Sequence, residues 1–171
     1  MKILLKILIL TIFSGCASLP PTSPPDFQQN HTLWYLRITH HKQTLFSGLL
    51  SLKKRGEYLR TVVLDTTGIT IMTGRLDEHG KIKVCRCLAP ARDHDLPGLL
   101  GPALARIFYQ TPGQDCFLKK KTVDCRSGLW PLSLWKVSYF SKNKNSTVKI
   151  VHRAPGADIV LRLIEEGNKN K

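Results

Sequence analysis

Acidic side chains are scarce: 12 Asp and Glu stand against 26 Lys and Arg, a formal charge of +14 over 171 residues. That excess of cations suits a neighbour bearing phosphates, either lipid headgroups or lipopolysaccharide at a membrane. Nucleic acid would satisfy the same field. Part of the charge, as in Lys53-Lys54-Arg55 and Lys119-Lys120-Lys121, also fits solvated hairpin tips. Catalytic signatures are missing too. The chain has no G-x-S-x-G elbow, no glycine loop to cradle phosphate and no H-E-x-x-H, so an enzyme reading has no residues to stand on. From Thr32 onward there is no internal repeat, no low-complexity block and no Pro/Gly-rich gap long enough to divide the chain, and a single domain follows.

The most informative segment is MKILLKILILTIFSGC. Lys2 and Lys6 precede an apolar run over 7–13 that is too short to span a bilayer, and Ser14-Gly15 then leads into Cys16. This pattern resembles the bacterial lipobox, with Phe13 where Leu is more usual. It implies a signal peptide over 1–15, cleavage after Gly15 and a lipid-bearing Cys16. Ala17 and Ser18 follow without the Asp that resembles an inner-membrane retention signal, which points to the periplasmic face of the outer membrane. Residues 16–31, with Pro20, Pro21, Pro24 and Pro25, read as a polar tether. The domain is placed at 32–165 and a polar tail at 166–171.

Four further cysteines, Cys85, Cys87, Cys116 and Cys125, would lie in an oxidising compartment, where an even number points to two disulfides. Cys116 and Cys125 flank FLKKKTVD and could pair across a hairpin; pairing of each with Cys85 or Cys87 is the competing scheme. In a regular strand both cysteines of C-x-C point to one face, which disfavours a bond between them. The spacing lacks the paired C-x-x-C of a zinc site, and neither a metal nor a cofactor is expected.

Alternation dominates the domain. LWYLRITH, LFSGLLSLKK, EYLRTVVLD, ITIMTGRL and KIKVCRCL read as strands joined by short turns, the pattern of an antiparallel meander. Ile82, Val84 and Leu88 are expected on one face of the last, Cys85 and Cys87 on the other. At PALARIFYQ the period changes to about 3.6 residues, with Pro102 in a first helical turn and Leu104, Ile107 and Phe108 on one side. Strands are then expected near 116–119, 122–126, 134–140, 147–153 and 158–164. The fold class is mainly β with a covering helix (α+β): a curved antiparallel sheet or incomplete barrel of about ten strands.

Arg92-Asp93-His94-Asp95 places a histidine between carboxylates, yet sequence neighbours on a loop rarely converge, and Asp95 is better read as a helix cap. His40-His41 and His152 lack partners at ligand spacing and read as surface residues. An envelope hydrolase would need His94 or His152 to meet a nucleophile in a cleft. What remains is an apolar face made by Trp34, Leu36, Ile38, Leu50, Leu52, Val62, Leu64, Ile69, Ile71, Trp135 and Val137, with Leu104 and Phe108 laid across it. It forms either a filled core or a groove.

In order and spacing the chain resembles the superfamily of LolA and LolB. After the lipidated cysteine and tether, TLFSGLLSLKKRGEYLRTVVLDTTGITIMTGRLDEHGKIKV supplies paired strands and LPGLLGPALARIFYQ the cover. GLWP and the closing VKIVHRAPGADIVLRLIE are similar to outer-membrane lipoproteins related to it. The four extra cysteines are not part of the LolB pattern. The resemblance implies an apolar cavity that binds or transfers lipids or lipoprotein acyl chains without covalent chemistry, with Leu99-Leu100 nearest to LolB's protruding leucine. The competing expectation is a non-catalytic subunit of an envelope assembly that docks on a protein partner through a basic face.

Overall fold

The computed structural model describes residues 31–109, 115–119, 122–127, 134–143 and 146–166. Cys16, the tether before His31, Pro112-Gly113 and GLWP lie outside them.

Ten strands form one antiparallel sheet. The first five are β1 (His31–His40), β2 (Gln43–Arg55), β3 (Tyr58–Leu64), β4 (Thr70–Leu76) and β5 (Ile82–Cys87). Two helices follow, α1 (Ala89–Asp93) and α2 (Leu96–Phe108). The chain then continues through β6 (Asp115–Lys119), β7 (Thr122–Ser127), β8 (Trp135–Asn143), β9 (Ser146–Ala154) and β10 (Ala157–Glu166). The spatial order is β5-β4-β3-β2-β1-β10-β9-β8-β7-β6. The chain thus starts in the middle of the sheet, walks out to one edge, crosses as helices to the other edge and walks back to pair β10 with β1. The class is the expected one, mainly β with a covering helix, and the sheet is open: β5 and β6 each have one neighbour.

Local chemistry explains the short turns. In Asp65–Ile69 the Asp65 carboxylate accepts from the backbone N–H of Thr67 and of Ile69, both at 2.9 Å. Asp77 does the same for His79 (3.1 Å) and Lys81 (2.9 Å). Such aspartates close a turn with their own side chain, and the glycine that follows takes the left-handed conformation, as at Gly80 with φ +81°.

Helix α2 starts earlier than its sequence period suggests. Asp95, in the left-handed region at φ 44°, is the N-cap, and its side chain accepts from the Gly98 N–H at 3.2 Å. The capping role expected for Asp95 is therefore present, but Pro102 lies inside the helix rather than in its first turn. Leu96, Leu100, Ala103, Leu104 and Ile107 are buried, a stripe at helical spacing facing the sheet.

The helix touches both wings of the sheet. Gly101 meets Gly80 in the β4–β5 turn, where a Cβ on Gly101 would overlap the Gly80 carbonyl oxygen. At its other end Tyr139 of β8 donates to the Ile107 carbonyl at 2.9 Å. In a flat sheet β4 and β8 would be about 29 Å apart, whereas six residues of helix cover about 9 Å. Both wings therefore lean onto the helix, which occupies the apolar face between them.

Candidate functional site

Nine of the apolar-face positions named from sequence come together beneath α2. Trp34, Leu36 and Ile38 of β1, Leu50 and Leu52 of β2, Ile71 of β4, Trp135 and Val137 of β8, and Leu104 of the helix are all buried in one cluster. Phe108 is half-buried against it, its ring edge-on to Trp34 with centroids 6.0 Å apart. The Trp34 indole N–H is satisfied by Thr32 Oγ1 at 2.8 Å, so the large ring lies in the core without an orphan donor. Helix α2 lies across this face, and these side chains are buried beneath it.

Val62 and Leu64 are not on that face. Thr61 and Val63 point inward instead, both 0 % exposed, opposite Leu52 and Leu50. The run Thr61-Val62-Val63-Leu64 offers apolar residues in both registers, and pairing with β2 decides between them. Ile69 is 58 % exposed, at the turn before β4 rather than in the strand.

Polar groups also join the helix to the far wing. Tyr139 is buried, and burial raises its phenol pKa while the hydroxyl donates to the helix C-terminus. Arg106 of the helix lies over the Trp135 ring at 5.3 Å, and its Nη1 is 3.3 Å from His152 Nε2. His152 is 3 % exposed, in contrast to the surface position expected from sequence. Burial, and after it the Arg106 charge, lowers its pKa to about 4. The neutral ring accepts from Arg106 through Nε2 and carries its proton on Nδ1, which finds no acceptor among the described residues. Across the helix, Tyr109 Oη donates to the Leu76 carbonyl at 3.3 Å.

The cysteines divide. Cys116 and Cys125 stand directly opposite on β6 and β7 and form a disulfide, the hairpin scheme. The expected second bond does not form: Cys85 and Cys87 are free. A shift of register between Thr73 and Gly74 inserts an extra residue in β5, so the two no longer share a face. Cys87 packs against the core opposite Met72, and Cys85 is exposed on the solvent side. Val84, expected to face inward, is 40 % exposed at this edge strand.

The acid-flanked His94 is exposed on the short link between the helices, and Asp93 and Asp95 do not converge on it with a nucleophile. Leu99 is half-buried and Leu100 fully buried within α2, so neither protrudes from a loop. Among the described residues there is no group of three His, Cys, Asp or Glu side chains that could hold a metal, and no helix long and apolar enough to cross a membrane. Sequence reasoning missed Arg106, Tyr139 and the buried state of His152. Tyr139 continues the period-two alternation of Trp135 and Val137, the signal that places its ring inward and that of Phe140 outward. The chain matches no family model and no curated protein.

Proposed function

We propose that this chain is a lipid-anchored lipoprotein on the periplasmic face of the outer membrane that binds or transfers lipids or lipoprotein acyl chains, without covalent chemistry. Membership of the LolA and LolB superfamily is part of that proposal. The observation that carries it is the construction of the cover. Among the described residues a broad apolar sheet face is covered mostly by a 13-residue helix whose far end is held by Arg106, His152 and Tyr139 as well as by apolar contacts. Polar latches of about 1 kcal/mol each are cheap to release. Withdrawal of α2 would open Trp34, Leu36, Leu50 and Leu52 to an acyl chain, whose methylenes would replace the helix contacts at about 0.8 kcal/mol each.

Native mass spectrometry of the full chain from a bacterial envelope tests this. The expected result is a mass increment of one acyl lipid beyond the covalent modification of Cys16. Tyr139→Phe, which keeps the ring and removes the latch, should speed lipid exchange several-fold. A chain that stays free of acyl lipid, even after incubation with phospholipid vesicles, would overturn the carrier reading.

A second reading, a non-catalytic subunit of an envelope assembly, is favoured by a cleft of about 520 Å³ on the solvent face of β6–β9. There Lys136, Asp124, Arg153 and the 39 % exposed Phe140 combine charges of both signs with an aromatic ring, the mixture a protein partner fits.

A further inference from the structure

The solvent face of the β2–β5 wing carries a row of cations. Lys53, Arg60, Arg75 and Lys83 stand directly opposite one another on four adjacent strands. At about 4.8 Å per strand the row is about 14 Å long. Like charges facing each other across a ladder repel, and none of the four forms an ion pair with a carboxylate among the described residues. Beside them opens a cleft of about 470 Å³, lined by Arg55, Arg60, Arg75, Tyr58 and Cys85 and by no acid. The Arg75 guanidinium lies over the Tyr58 ring at 5.1 Å. Stacking of this kind orients the planar fork and leaves its N–H edges to bind oxyanions.

We propose that this face binds the phosphate headgroups of anionic lipids. Guanidinium pairs match phosphate oxygens two at a time. A row four strands wide exceeds a single phosphate and fits several anions side by side, as a lipid surface presents them. The choice of lipid as the phosphate source rests on the membrane-anchored reading above. The surface lies on the opposite face of the sheet from the apolar core, so one face would meet headgroups and the other acyl chains.

Cys85 is a reporter within the cleft, because it is free and exposed. The full chain in dodecyl maltoside micelles is alkylated with iodoacetamide, and modification of Cys85 is followed by peptide mass spectrometry. Phosphatidic acid added to the micelles is expected to slow Cys85 by about tenfold, as when free probe exceeds its Kd by that factor. Phosphatidylcholine should have little effect, and molar salt should abolish the protection. Arg60→Gln with Arg75→Gln should lose the protection with an unchanged circular dichroism spectrum; Lys83→Gln, at the exposed edge strand, should weaken it if the double variant misfolds. No protection, or equal protection by phosphatidylcholine, overturns the proposal. So does equal protection by inorganic phosphate, which would make this a free-anion site, or by polyglutamate, which would make the partner an acidic protein. A chain that protects Cys85 yet carries no acyl lipid would overturn the carrier reading alone.

Discussion

The two wings of the sheet carry similar cations and treat them differently. On the β2–β5 side the row Lys53, Arg60, Arg75, Lys83 has no acid within it. On the β6–β10 side the corresponding row is Asp115, Arg126, Lys136, Arg153 and Asp158, with acids at both ends. Lys136 also reaches Asp124 at 2.9 Å. One wing sets acids beside its row of cations and bridges its edge hairpin with a disulfide. The other keeps its repulsion, and two of its acids, Asp65 and Asp77, close turns. Net charge alone conceals this: acids stand at both ends of one row of cations and are missing from the other.

The wings also hold the helix by different means, and acid should separate them most strongly. His152 binds no proton in the folded state until about pH 4, whereas in the unfolded chain it titrates near its ordinary value of about 6.5. The unfolded state therefore takes up more protons between those values, and stability falls as pH is lowered through that window. The expected loss is about 3 kcal/mol by pH 4. Urea unfolding at neutral pH and at pH 4 measures it, and His152→Phe should remove most of this dependence. An unchanged slope in that variant would assign the acid sensitivity elsewhere.

Next in size is the staple of the same wing. Reducing Cys116–Cys125, nine residues apart, should cost about 2.5 kcal/mol by release of loop entropy, read as a shift in the denaturant midpoint. On the other wing, Gly101→Ala would push a methyl group into the Gly80 carbonyl. A loss of about 2 kcal/mol is expected, together with faster amide exchange in α2. If Gly101→Ala is neutral, the helix is not seated on the β4–β5 turn.

The smallest effect has opposite signs in the two wings. Arg60→Gln should stabilise the fold by up to about 0.5 kcal/mol at low salt by relieving like charges, with the gain vanishing at high salt. Asp124→Asn should destabilise by about 0.5 kcal/mol through loss of the Lys136 pair. Effects of the same sign would end the distinction between the wings.

Much of the fold was legible because alternation and turn chemistry are local. The strands of β1 and β2, with Trp34, Leu36, Ile38, Leu50 and Leu52 inward, follow from period two alone. Asp95 announced the helix start. The errors fell where local signals were ambiguous. Val62 and Leu64 sit in an unbroken apolar run, and one bulge in β5 separated Cys85 from Cys87. Pro102 suggested a helix start, but the capped turn at Asp95 and packing against Gly80 extend the helix through it.

The sequence by itself determined the elements, the inward stripe of the central strands and the excess of cations, because each depends on residues close along the chain. Only the tertiary structure decided which cations lack acids, which cysteines meet and that His152 is buried beside Arg106. Those outcomes depend on strand order and register, which bring residues over a hundred positions apart, such as Leu36 and Leu161, into direct pairing. No local pattern encodes such a pairing, since it is fixed by the joint burial of faces that become adjacent only on folding.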